Sequence, residues 1–173
     1  MKTKLLLMVF LGLVAAGAAS AAKADKPASP VDVTFIAPEN FRDAKQDAMD
    51  SERGRDAILA QLKEHLVTTA AQYLAPGQRL EIKVTDVDLA GDFEPQRGPN
   101  FDNVRIVKDI YPPRATLEFR LLGADGKVVS EGKRQLQNLG YLMTLTPLPT
   151  SDPLRHDKEL LSDWLRREFK RTS

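Results

Sequence analysis

Three features of the sequence predict an α+β fold, a two-layer sandwich with two helices on one face of a mainly antiparallel sheet of four or five strands. Two segments carry apolar residues at helical spacing, several others alternate apolar and polar residues with period two, and two helices cannot cover both faces of such a sheet. The order along the chain reads strand, helix, strand, an optional short strand, hairpin, helix. If the first two strands are neighbours, they run parallel with a right-handed crossover.

The chain opens on Lys2 and Lys4, an apolar run from Leu5 to Ala16, and small residues from Ala18 to Ala22. This is the pattern of an export signal, cleaved between Ala22 and Asp25. The run of about twelve residues falls short of the roughly twenty that a spanning helix needs. The expected division is therefore a signal peptide at 1–22, a flexible tether at 23–30 and a single domain at 31–173.

Val31, Val33 and Phe35 alternate with Asp32 and Thr34 as in a half-buried strand, which Pro38 ends. Asp50 or Ser51 can cap the helix that follows, whose buried face is Ile58, Leu59, Leu62, Leu66, Ala70 and Tyr73. Ala75, Pro76 and Gly77 close it. In the next strand, Arg79 to Leu89, the apolar set switches from Leu80, Ile82 and Val84 to Val87 and Leu89. Successive strand residues point to opposite faces, so the switch predicts a bulge near Thr85 and Asp86.

Ala90 to Pro113 is a long connection containing Pro95, Pro99 and a final Pro112-Pro113 step, with room for an edge strand around Asn103 to Lys108. The hairpin comes next: Ala115, Leu117, Phe119 and Leu121 alternate, Gly123 to Gly126 supplies a turn, and Val128 and Leu136 continue the apolar face. Ser130 and Gly132 leave room for a helix to approach. Asp152 and Pro153 are read as the start of the last helix, with Leu154, Leu161, Trp164, Leu165 and Phe169 as its buried stripe and Leu160 at its margin.

The composition excludes several chemistries. There is no cysteine, hence no disulfide, thiol nucleophile or cysteine-linked lipid anchor. The formal net charge of +1 becomes slightly acidic without Lys2 and Lys4, which supplies no field for nucleic acid or anionic lipid. Arg166, Arg167, Lys170 and Arg171 complement the carbonyl end of the last helix. No nucleophile elbow, phosphate-binding loop or dinucleotide fingerprint occurs, and no cofactor is expected. His65 and His156 stand alone among charged residues, as exposed helix histidines do.

The segments VDVTFIAPENFRD (Val31 to Asp43), PGQRLEIKVTDVDLAGDFEP (Pro76 to Pro95), NVRIVKDIYPPR (Asn103 to Arg114) and DPLRHDKELLSDWL (Asp152 to Leu165) carry a resemblance. The chain resembles an uncharacterised family of exported proteobacterial proteins, the domain of unknown function numbered 3016. Export and a single domain are what the resemblance implies. It carries over no activity and no site.

Three polar or apolar groupings are candidate sites. Asp86, Asp88, Asp92 and Glu94 surround Gly91, but Ala90 and Arg97 stand where a calcium loop needs oxygen ligands. Solvated or loop-capping aspartates are the leading reading, ion pairs with Arg105 or Arg114 the second and a divalent cation the third. Asn103 to Arg114 presents Arg105, Lys108, Tyr111 and Arg114, residue types favoured at interfaces, or else seals a sheet edge. Leu139 to Pro149 is an apolar linker expected to close its own core. The expected function is a non-catalytic periplasmic or secreted binding module of the cell envelope, with Asp88, Asp92, Arg105, Tyr111 and Arg114 as binding residues and an envelope protein or small ligand as partner. A hydrolase or ligand-binding protein built on the acidic cluster is the alternative.

Overall fold

The structure, a computed structural model, describes residues 29–49, 51–98, 103–145 and 147–170. The expected signal peptide and residues 23–28 of the tether lie outside them, as do Asp50, Pro99 and Arg171. The elements are β1 (Val31–Phe35), α1 (Glu52–Ala71), β2 (Arg79–Asp88), β3 (Asp92–Phe93), β4 (Arg105–Ile106), β5 (Arg114–Leu122), β6 (Val128–Gln137) and α2 (Arg155–Phe169).

The main sheet has the order β1-β2-β5-β6 and is mixed. β1 runs parallel to β2, with Val31 beside Leu80 and Phe35 beside Val84, and α1 is the connection that a parallel pair requires. The β2–β5 and β5–β6 pairs are antiparallel. The register of β2 shifts between Val84 and Asp86, so Thr85 is the extra residue. Leu80, Ile82 and Val84 before it and Val87 and Leu89 after it are all buried.

The inward side chains of the sheet share one core with Ile58, Leu59, Leu62, Leu66 and Ala70 of α1 and Leu161, Trp164 and Leu165 of α2. α1 packs against β1 and α2, and α2 against α1 and β6. Phe119, Trp164 and Phe169 meet with ring centroids 5.4 to 5.9 Å apart in tilted and edge-on geometry. Contacts of this kind add about 0.5–1.5 kcal/mol each to the burial of the rings. The alternate residues of the sheet carry a charged ladder, in which Arg120 approaches Glu131 at 3.3 Å and Lys133 approaches Glu118 at 3.6 Å.

Four expectations about the elements and their packing need correction. Arg105–Ile106 is not a fifth strand of the main sheet; it pairs with Asp92–Phe93 as a separate two-stranded ribbon. The long connection folds on itself because Gly91, at φ +82°, lets the chain turn where a Cβ would stand 2.8 Å from the Ile106 carbonyl oxygen. The last helix begins at Arg155, since Asp152 caps a preceding turn instead, accepting from the Leu154 N–H at 2.9 Å and from Lys158 Nζ at 2.6 Å. The space beside Gly132 is filled by the guanidinium of Arg134, which lies over Phe119 and pairs with Glu168 of α2 at 2.7 Å.

The fourth correction concerns the linker after β6. Tyr141 is buried and donates its hydroxyl to the Lys108 carbonyl at 2.6 Å, which ties the linker to the long connection. Leu139, Leu142, Met143 and Leu145 remain exposed. One aromatic ring therefore closes the core here, and the aliphatic residues around it do not.

Candidate functional site

The bulge at Thr85 decides where the acids of β2 go. Past it, the segment Arg42–Asp43 runs alongside β2: Asp43 donates its N–H to the Val87 carbonyl at 2.9 Å, and Leu89 donates to the Asp43 carbonyl at 3.0 Å. The Arg42 N–H reaches Asp86 Oδ1 at 2.9 Å. Arg42 thus stands beside Asp86 and Asp88, with its guanidinium 3.7 and 3.4 Å from their carboxylates. Arg114, at the start of β5, donates to the same Asp88 Oδ2 at 2.7 Å. With the Gln137 amide turned so that its carbonyl faces Arg114, that carbonyl accepts from Nε at 2.8 Å and Nη2 at 3.1 Å.

Arg105 faces inward. Its guanidinium donates to both carboxylate oxygens of Asp43 at 2.8 and 3.2 Å and to the carbonyls of Gly91 and Lys45, each at 2.9 Å. It also lies 4.6 Å above the Phe93 ring. Four hydrogen bonds from one planar fork make Arg105 a staple between the ribbon and the segment after β1.

Glu94, buried, accepts from Lys108 Nζ and from the Tyr111 hydroxyl, the latter at 3.0 Å. Tyr111 in turn accepts at its carbonyl from the Gly91 N–H at 3.0 Å. Asp92 is exposed, and its carboxylate accepts only the adjacent Phe93 N–H at 2.7 Å among the described residues.

These residues surround a cleft of about 480 Å³ whose wall includes Arg42, Lys45, Asp88, Asp92, Tyr111 and Arg114. Four of the five residues singled out in the sequence therefore meet at one opening, and Arg105 braces it from behind. Arg42 keeps 59% of its side chain exposed, the most accessible cation of the Asp86 and Asp88 pairs. The four acids of the β2 and β3 segments do not converge. Asp86 and Asp88 turn to Arg42 and Arg114, and Glu94 turns to Lys108. Among the described residues no cluster of three or more histidines, aspartates or glutamates is arranged to hold a metal ion.

The histidines are elsewhere and are not exposed. His65 Nε2 lies 3.0 Å from the Lys158 carbonyl and 2.8 Å from Ser162 Oγ, joining α1 to α2. Burial is the main reason its pKa is lowered. His156 stands edge-on to Tyr141 at 4.8 Å and accepts from Arg155 Nε at 3.1 Å, and burial followed by the Arg155 charge lowers its pKa.

Sequence reading missed three residues: Arg42, Asp43 and Asp157. Arg42 and Asp43 had no signal beyond an Arg-Asp step in a polar stretch. Asp157 had one, since it falls in step with Leu154, Leu161 and Trp164 on the buried stripe of α2. Its carboxylate accepts the Ala90 N–H at 2.9 Å, directly behind the cleft, while Oδ2 has no partner among the described residues. Burial raises its pKa to about 7, against the opposing effects of the Ala90 bond and the Arg105 charge.

A family model described as a protein of unknown function (DUF3016) matches residues 29–167, and the chain belongs to that family. No curated protein matches it.

Proposed function

We propose that this family member is an exported, non-catalytic binding module, a two-layer domain whose recognition surface is the cleft bordered by Arg42, Asp88, Asp92, Tyr111 and Arg114. The observation that carries the reading is the state of the polar groups there. Asp86 and Asp88 already hold arginine partners, Glu94 holds a lysine and a phenol, and neither histidine reaches the cleft. Such a surface offers fixed hydrogen-bonding groups and half-exposed cations, and among the described residues it holds no aligned nucleophile and base. Arginine and tyrosine at the rim suit recognition of a protein or a small polar ligand. The layer arrangement is supported by the single core that both helices share with one set of sheet side chains.

Periplasmic or secreted location rests on the N-terminal pattern of a short basic start, an apolar run and a small-residue stretch. N-terminal sequencing of the chain recovered from the envelope fraction tests it, with a start between Ala22 and Asp25 expected and an intact Met1 contradicting it. Crosslinking in envelope extract tests the cleft. Partners captured by the natural chain should be lost from Arg42→Ala; identical capture by both would remove the cleft from the proposal.

A further inference from the structure

A second groove lies where the sheet ends. β6 is an edge strand of ten residues, and among the described residues nothing pairs with its outer side. Along that side runs a groove of about 410 Å³ between β6 and α2. Both inward residues of β6, Arg134 and Leu136, and outward ones, Gln135 and Gln137, border it, so it follows the strand's open edge. Leu160 and Trp164 form the apolar part of its α2 wall.

Among the described residues, one polar side chain of this groove has no partner on its open side and another has none behind its wall. Trp164 is 5% exposed, and its indole Nε1–H is buried without an acceptor. Glu159 is 8% exposed and, among the described residues, has neither a hydrogen-bond nor an ion-pair partner. The other acids of the groove are matched: Glu168 by Arg134, and Asp163 by Arg166 and Arg167. The Glu159 carboxylate is not among the oxygens closed off from solvent, so it opens on the groove, where a cation that displaces its water would pair with it.

We infer that the β6–α2 groove binds an extended, lysine- or arginine-bearing peptide segment of another protein, which adds to β6 as a fifth strand. Its backbone meets the open N–H and C=O groups of β6, as in strand-addition complexes. Alternate side chains point into the groove, because strand side chains alternate in direction. An aliphatic side chain covers Leu136 and Leu160, and a cationic one reaches Glu159. The charged residues Glu131, Lys133 and Arg134 along β6 oppose indiscriminate edge pairing, which leaves the Glu159 charge to select the partner.

Trp164 is the sole tryptophan of the chain and lines the α2 wall of the groove, so its fluorescence responds to a change there. The full chain as expressed is titrated with a capped octapeptide alternating valine and lysine, with the valine–glutamate analogue, and with a valine–lysine peptide N-methylated on alternate amides. The valine–lysine peptide should shift the emission and saturate, the glutamate analogue should bind at least about tenfold more weakly, and N-methylation should abolish binding. Glu159→Gln should cost the valine–lysine peptide about tenfold while Arg42→Ala leaves it unchanged. Equal binding of the two charge variants, or binding that survives N-methylation, overturns the inference even if Glu159→Gln fails to fold. A dimer in sedimentation that the peptide does not dissociate would overturn it in favour of a second copy of the chain on β6.

Discussion

Arg105 and Asp43 are 62 residues apart in sequence, yet the Arg105 guanidinium grips both oxygens of the Asp43 carboxylate, and the two side chains are only 17% and 13% exposed. This pair holds the β3–β4 ribbon against the segment that continues β1 past the bulge. The back wall of the cleft depends on it.

Arg105→Ala should therefore lower stability by about 3 kcal/mol, because it strands a largely buried carboxylate and frees two backbone carbonyls. Urea unfolding measures this. A loss below about 1 kcal/mol would show that the pair behaves as an exposed surface bridge. Arg42→Ala, with its guanidinium mostly in water, should change stability by less than about 1 kcal/mol.

Deletion of Thr85 should be severe although the residue itself is only half-buried. Without the extra residue the pleat carries Val87 and Leu89 to the opposite face, and each loses about 1.5–3 kcal/mol of burial. The expected loss is about 3 kcal/mol or more. A deletion variant with an unchanged unfolding midpoint would contradict the assignment of the bulge.

Asp157 makes stability depend on pH. Its folded pKa, about 7, lies above the ordinary value of 3.8, so between those two values the folded state keeps a proton that the unfolded chain has lost. Its contribution is full below the unfolded pKa and is lost as pH rises through about 7. The whole span corresponds to roughly 4 kcal/mol. His65 and His156 act in the opposite sense, since their lowered folded values remove stability as pH falls below the unfolded 6.5. Asp157→Asn should raise the thermal midpoint at pH 8 by more than at pH 5, and a variant that parallels the natural protein at both would sink the assignment.

Leu66 is fully buried between sheet and helices, and Leu66→Ala should cost about 2–5 kcal/mol. Calorimetry on the two chains gives the comparison directly.

Periodicity made most of the elements legible. β1, α1, β2 and the hairpin stand where alternation and helical spacing put them, and Ser51 caps α1 by accepting from the Gly54 N–H at 3.1 Å. The bulge was visible because a change of parity in the apolar set has no other regular explanation than burial on both faces. The start of α2 was misplaced because Asp152 and Pro153 are equally suited to the turn that precedes it. Ser130 and Gly132 suggested open space only because a neighbouring arginine two residues on could not be seen to fold back over it.

The candidate site was legible as a set of residue types and not as a set of partners. Nothing local distinguishes Arg105, wholly engaged inside the domain, from Arg114 at the rim, and nothing local joins Arg42 to aspartates 44 and 46 residues away. What the sequence determined by itself was the faces of its strands and helices, since burial repeats with the geometry of the backbone and leaves a period to read. Tertiary structure alone decided which charges meet, which carboxylate is left unpaired and which edge stays open. Those outcomes depend on where long side chains from distant segments end in space, and no period along the chain encodes that.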